Sequence, residues 1–126
     1  MPSEKLENFS KKHPELAPLV TALSDYLNWQ TERNVTEIIP RAAAAKLGIS
    51  EADTLGLLTV FEDAGLVRHR YDLICRQTSA AISSYKTLDE IPDNVECVHC
   101  DKEHDADELR VELVFDIVRG QKAHAA

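Results

Sequence analysis

The clearest structural signals in the sequence lie in residues 39–50, IPRAAAAKLGIS. Pro40 suits the first turn of a helix, and the alanine-rich run after it predicts a short helix over Arg41–Leu47 that ends at the following glycine. Ser50 is a good N-cap, and Asp53 lies three residues further on, in the place of a capping-box acid. The segment therefore predicts a helix, a tight turn and a second helix.

The second of these helices should continue to Gly65, with the apolar positions Leu55, Leu58, Val60, Phe61 and Ala64. After Gly65 the apolar period changes from about 3.6 to about 2, which predicts one or two strands over Leu66–Cys75. Another short strand is expected around Ile82 and Tyr85. Arg110–Arg119 alternates and predicts a half-buried strand, whose inward residues are Val111, Leu113, Phe115 and Ile117.

Upstream, apolar residues at three- and four-residue spacing predict an amphipathic helix over Pro14–Trp29. A shorter helix should precede it, with Leu6 and Phe9 on one side. Asn34–Ile39 is rich in β-branched residues and is expected to be extended. A group of helices followed by strands predicts an α+β fold.

Length and composition limit the class of protein. The chain has 126 residues and a mass of 14.1 kDa, which is enough for one compact domain or two very small ones. Hydrophobic residues make up 44% and charged residues 29%, as in ordinary globular proteins. No membrane-spanning run or signal-peptide pattern occurs, so we expect a cytoplasmic protein. Three cysteines are an odd number, which argues against a disulfide framework.

The net charge of −8 is unevenly distributed along the chain. Residues 66–88 carry four bases and one acid, whereas residues 89–116 carry eleven acids and two bases. A nucleic-acid partner would have to bind a local basic patch against an unfavourable overall field. The charge therefore disfavours DNA and favours a protein partner.

Two motifs, Ala44-Ala45-Lys46-Leu47-Gly48-Ile49-Ser50 and Ala64-Gly65-Leu66-Val67, resemble the second helix, turn, third helix and wing of a winged helix-turn-helix domain. The resemblance covers roughly residues 14–75. It implies a winged-helix domain over residues 1–75, followed by a small antiparallel zinc-ribbon-like β extension over 76–119 and a flexible tail over 120–126. Winged helices serve both as DNA readers and as protein-docking modules, so the fold alone does not choose a function.

The residues of the third helix favour protein docking over DNA reading. DNA-reading helices present hydrogen-bond donors, but no Lys or Arg occurs between Ile49 and Gly65. The acids in and beside this helix are candidates for docking a partner: Glu51, Asp53, Glu62 and Asp63. The cations close enough to contact phosphates are Arg41, Lys46, Arg68 and Arg70. An ordinary solvated surface explains either set equally well.

Residues 95–104, VECVHCDKEH, resemble one knuckle of a zinc ribbon, in which two thiolates two residues apart bind one ion. The resemblance implies a partner knuckle at Cys75, although Thr78 occupies the place of its second cysteine. His104 could complete the ligand set Cys75, Cys97, Cys100 and His104, which would hold one structural zinc. The alternative is a ribbon-like fold that has lost its metal.

No phosphate-binding loop, nucleophile elbow or metalloprotease helix occurs, so we expect no enzyme. The favoured hypothesis is a non-catalytic protein-interaction module, an adaptor or regulatory subunit of a larger bacterial system. Small bacterial proteins that join a winged helix to a zinc ribbon resemble components of operons that carry larger effectors, including those of defence systems. The alternatives are a DNA-binding transcriptional regulator and an acidic mimic of nucleic acid. Tyr26, Leu27 and Trp29 could belong to the core or form the seam of a homodimer.

Overall fold

The computed structural model describes residues 4–97, 102–104 and 108–118. Over this part, the chain forms two compact units. The first runs through Arg68 and resumes at Phe115, and the second comprises His69–Val114. Helices and strands are both present, so the α+β class is confirmed. None of the helices described is both long and apolar enough to cross a membrane.

The helices belong to the first unit and are α1 (Glu4–Lys12), α2 (Ala17–Glu32), α3 (Pro40–Leu47) and α4 (Glu51–Asp63). The turn between α3 and α4 has the predicted chemistry. Gly48 ends α3 in the left-handed region with φ of 73°. The Ser50 side chain caps α4 by accepting a hydrogen bond of 3.0 Å from the backbone N–H of Asp53. Such a cap stabilises a helix by about 1 kcal/mol.

The start of α2 differs from the prediction of a helix over Pro14–Trp29. Pro14–Leu16 forms a 3-10 turn, and α2 begins only at Ala17. A continuous α-helix from Pro14 would need an N–H group at Pro18 to donate to the Pro14 carbonyl, and proline has none. The N–H of Ala17 donates to that carbonyl instead, which closes the tighter turn.

The buried side of α4 agrees with the predicted one at Leu58 and Phe61 and differs from it at the other positions. Leu57, Leu58 and Phe61 are buried together with Thr54, whereas Leu55 is only half-buried. These four buried positions follow the three- and four-residue spacing of one helix side. The hydroxyl of Thr54 is accommodated because it donates a hydrogen bond of 2.9 Å to the Ser50 carbonyl. Ala43 and Ala44 are also buried, which allows α3 and α4 to approach closely.

The strands are β1 (Glu37–Ile38), β2 (Val67–Cys75), β3 (Ala81–Tyr85), β4 (Val95–Cys97), β5 (Lys102–His104) and β6 (Leu109–Ile117). In the described part of the chain, four of them form an antiparallel sheet in the order β1-β6-β2-β3, and β4 pairs with β5 as a separate hairpin. In the first unit, β6 pairs with β1 through Phe115 opposite Ile38. In the second, β2 pairs with β3, with Asp72 opposite Ser84. This arrangement is compatible with a winged helix.

The simple alternation predicted for β6 is wrong. Val114 and Phe115 are adjacent yet both buried, with 2% and 3% of their surfaces exposed. Neighbouring side chains of a strand point to opposite faces, so β6 is covered on both faces at this point. Val111, predicted to face inward, is 44% exposed. Period-two alternation is expected only where one face of a strand meets water, which is not the case at these central residues.

Candidate functional site

The acids of α4 lie at its two ends and not in one cluster. Glu51 and Asp53 are exposed in the first turn, where the partial positive charge of the helix terminus favours carboxylates. Glu62 is half-buried at the other end, about 14 to 17 Å away along the helix axis at about 1.5 Å per residue. Next to it, Asp63 is contacted by Lys5, whose Nζ donates a hydrogen bond of 3.0 Å to its carbonyl. We call Glu51 and Asp53 the amino-terminal acidic pair of α4.

None of the residues on the solvent-facing side of α4 is a lysine or an arginine. Its exposed residues are Glu51, Ala52, Asp53, Gly56, Thr59 and Asp63. Gly56 has no side chain, and the hydroxyl of Thr59 donates to the Leu55 carbonyl at 2.9 Å. Apart from Lys5 of α1, which contacts Asp63, this surface therefore offers carboxylates and no positively charged side chain.

The four candidate phosphate contacts are placed unequally. Arg41, Lys46 and Arg68 are exposed, as a phosphate contact requires. Arg70 is engaged within the second unit, where its Nε and Nη2 atoms donate to Asp72 at 2.8 and 3.2 Å. This bidentate pair is the strong geometry for arginine and a carboxylate. The guanidinium of the half-buried Arg70 is therefore engaged by Asp72.

Asp72 is the acceptor at the centre of this contact and is only 8% exposed. Its carboxylate also accepts a hydrogen bond of 2.7 Å from the hydroxyl of Ser84 on the paired strand. Burial raises the pKa of Asp72, but the hydrogen bonds from Arg70 and Ser84 and the charge of Arg70 outweigh it, so the pKa is lowered overall. The carboxylate thus remains ionised and ties β2 to β3.

Stability is expected to depend on the ionisation of Asp72 at low pH. Because its pKa is lower in the folded than in the unfolded chain, the unfolded chain binds more protons between the two values. The contribution is complete above about pH 4 and is lost as pH falls through the folded pKa. Urea unfolding of the wild type and Asp72→Asn from about pH 6 to about pH 3 tests this. The stability difference should shrink towards acid, and a constant difference would contradict the assignment.

The structure brings Trp29 together with two cations, a grouping that the sequence did not predict. This side chain is 42% exposed, whereas Tyr26 and Leu27 are buried in the first unit. Two cations lie over its ring: the Arg33 Cζ atom is 4.1 Å from the ring centroid, and the Lys46 Nζ atom is 4.9 Å from it. The four-residue spacing of Trp29 and Arg33 could have indicated their contact, but Lys46 comes from α3 and only the tertiary fold brings it there.

The cysteine segment is described only in part. Cys75 ends β2 and Cys97 ends β4, and both side chains are fully buried in the second unit. Cys97, the first residue of the Cys-X-X-Cys sequence, is the last residue of β4 and pairs with Lys102, the first residue of β5. Cys100 and the side chain of His104 lie outside the described residues. Within those residues, no group of three or more His, Cys, Asp or Glu side chains is placed to hold a metal ion.

Thr78, which replaces the expected second cysteine, has a structural role in the turn between β2 and β3. Its hydroxyl oxygen accepts a hydrogen bond of 3.3 Å from the backbone N–H of Ala80. This pattern is typical of a Ser/Thr turn. The turn is further closed by the N–H of Ser79, which donates to the Cys75 carbonyl at 2.7 Å. Cys75 therefore lies at the start of a tight hairpin turn.

Comparison with known proteins supplies no relative from which a role could be transferred. The side chains of α4, of β2 and around Trp29 are therefore the basis on which a function can be assigned. No protein-family model, curated protein or solved structure matches this chain.

Proposed function

We propose that this protein is a non-catalytic protein-interaction module, an adaptor or regulatory subunit, built on a winged helix. The observation that carries the proposal is the solvent-facing side of α4, which presents carboxylates and no lysine or arginine. In a winged helix this helix is the one that would enter the major groove of DNA. The carboxylates of α4 would be attracted by a basic protein surface and repelled by a phosphate backbone.

The order of the elements supports the winged-helix assignment. α2, α3 and α4 are followed by β2, and β6 returns to lie between β1 and β2 in the sheet. Residues 76–108 thus connect two adjacent strands, the position that a wing occupies. The β3 strand and the β4–β5 hairpin lie within this connection. We therefore assign the ribbon-like segment to the place of an enlarged wing.

Electrostatic repulsion from the acids of α4 favours protein docking over DNA binding. A carboxylate 4 Å from a phosphate is repelled by about 1 kcal/mol even in water. Glu51 and Asp53 together would weaken duplex binding by roughly 30-fold, and phosphate contacts would have to recover this loss. Arg70 is unavailable for that purpose because it pairs with Asp72. The remaining candidates are Arg41, Lys46 and Arg68.

Charge reversal of the amino-terminal acidic pair tests the proposal. We expect Glu51→Lys/Asp53→Lys to lose the partner that the wild-type protein captures from host lysate, by about tenfold or more in recovered amount. The matched control is Glu4→Lys/Glu7→Lys, since those acids are also exposed in the first turn of a helix, α1. The control should retain the partner. Equal recovery by both variants would contradict docking through α4.

Duplex titration tests the alternative function, a DNA-binding regulator that uses Arg41, Lys46 and Arg68. The wild-type protein is titrated with duplex DNA at two salt concentrations. We expect affinity no tighter than the roughly 10⁻⁴ M of weak non-specific binding at physiological salt. Nanomolar to micromolar binding that weakens steeply with salt would overturn the adaptor proposal.

We also propose that the second unit holds one structural zinc. The supporting observation is that Cys75 and Cys97 are both fully buried and each is the last residue of a strand. Cys100 and His104 would complete a tetrahedral set of three sulfur ligands and one nitrogen ligand, which is a usual combination for structural zinc. The ion would stabilise a segment that is rich in acids and poor in apolar residues.

A further inference from the structure

A second surface of the first unit has the opposite charge. It consists of Trp29, Arg33 and Lys46, and we call it the Trp29 patch. The ring of Trp29 is 42% exposed, and both cations lie within the roughly 6 Å at which a cation and an aromatic face attract each other. Exposed tryptophan and arginine are the residue types most enriched at the energetic centres of protein interfaces.

The patch is held in place from below. Tyr26 is buried, and its ring centroid lies 5.9 Å from that of Trp29. The Nη1 atom of Arg33 donates to the Oε1 atom of Gln30 at 3.3 Å, and Gln30 is itself buried. The backbone N–H of Arg33 also closes the end of α2 on the Trp29 and Gln30 carbonyls. Little side-chain freedom of Trp29 and Arg33 therefore remains to be lost when a partner binds.

The two cations of the patch are not neutralised by acids of the described chain. Asp25 and Glu32 lie on the same helix, but within the described residues neither forms an ion pair with Arg33 or Lys46. A guanidinium held over a ring is also weakly hydrated, so a carboxylate can approach it at a small desolvation cost.

We infer that the Trp29 patch docks an acidic segment of a partner protein. One carboxylate binds the guanidinium of Arg33 in bidentate fashion, a second binds the ammonium of Lys46, and the intervening backbone or an apolar side chain contacts the Trp29 ring. A short acidic peptide meets only this local charge. A nucleic acid would extend beyond it into the field of a protein with net charge −8. This inference uses residues distinct from the α4 acids and does not depend on docking through them.

Intrinsic fluorescence provides a direct test, because Trp29 is the single tryptophan of the chain. The probe is a short acetylated peptide in which Glu alternates with Ser, and its control is the same peptide with Gln in place of Glu. We expect a saturable change with the Glu peptide only, weakened about tenfold or more by Arg33→Gln/Lys46→Gln. Raising salt from about 20 mM to about 200 mM should also weaken it.

The matched control variant is Arg41→Gln, which removes an exposed cation from the same helix as Lys46 without touching the Trp29 ring. It should bind the Glu peptide as the wild type does, and circular dichroism should show native helix content for every variant. Equal binding of the Gln peptide, or an equal loss in Arg41→Gln, would overturn the inference. So would tighter binding of single-stranded oligothymidine, or a dimer that Arg33→Gln/Lys46→Gln dissociates, because either result assigns the patch to another occupant.

Discussion

Replacement of Asp72 by alanine is expected to lower the free energy of unfolding by about 2–4 kcal/mol, a large share of the stability of a small domain. The carboxylate accepts from two nitrogen atoms of Arg70 and from the hydroxyl of Ser84. Its removal deprives both groups of this acceptor in a place where only 11% of the Asp72 side chain meets water. Leaving a buried charge without its counterion costs more than the pair gains by forming.

Chemical denaturation of purified protein measures this effect. Ser84→Ala removes a neutral hydrogen bond from the same carboxylate and should cost only about 1 kcal/mol. Asp93→Ala, at an exposed position of the same unit, is the matched control and should change stability by less than about 0.5 kcal/mol. If Asp72→Ala were no more destabilising than Asp93→Ala, Asp72 would not be the link between β2 and β3.

Removal of zinc is expected to have the largest effect on the second unit. Protein purified in reductant without chelator should contain close to one zinc per chain. Structural zinc in small domains binds with an apparent free energy of about 10–16 kcal/mol at neutral pH, and this energy contributes directly to folding. A strong chelator should therefore unfold the β4–β5 hairpin and leave the helices of the first unit intact, which circular dichroism and hydrogen exchange would distinguish.

The ligand set is tested by substitution. Cys97→Ser should abolish zinc binding, because the thiolate is the ligand and its side chain is buried. His104→Ala should weaken zinc binding, whereas His99→Ala, a change of the same type within the Cys-X-X-Cys sequence, should not. The absence of zinc from fully reduced wild-type protein would contradict the proposal. Equal effects of the two histidine substitutions would exclude His104 as the fourth ligand.

The sequence predicted the helical part of the fold well, because the signals there are local. Gly48 and Ser50 determine the boundary between α3 and α4 through backbone conformation and one short hydrogen bond. Local signals did not predict the start of α2 or the buried residues of β6 correctly. Pro18 prevents an α-helix from starting at Pro14. In β6, coverage of both faces removes the alternation on which the prediction rested.

Some features of the candidate sites were visible in the sequence, and others appear only in the tertiary structure. The acidic character of α4 is a property of consecutive residues and was visible in the sequence, as was the spacing of Cys97 and Cys100. The pairing of Arg70 with Asp72 was not visible in the sequence, because an Arg-X-Asp pair in a strand is equally compatible with two solvated side chains. Only burial beside Ser84 on the neighbouring strand makes this pair structural.

The sequence by itself determined the α+β class, the helix-turn-helix boundaries and the absence of cations from α4. These features depend on backbone preferences and on charges that are close along the chain. The tertiary structure alone decided which cations remain accessible and which aromatic residue meets water. Lys46 and Trp29 are 17 positions apart in the sequence, and their 4.9 Å contact exists because α2 and α3 pack together. Contacts of this kind depend on how helices pack, which no local pattern of residues specifies.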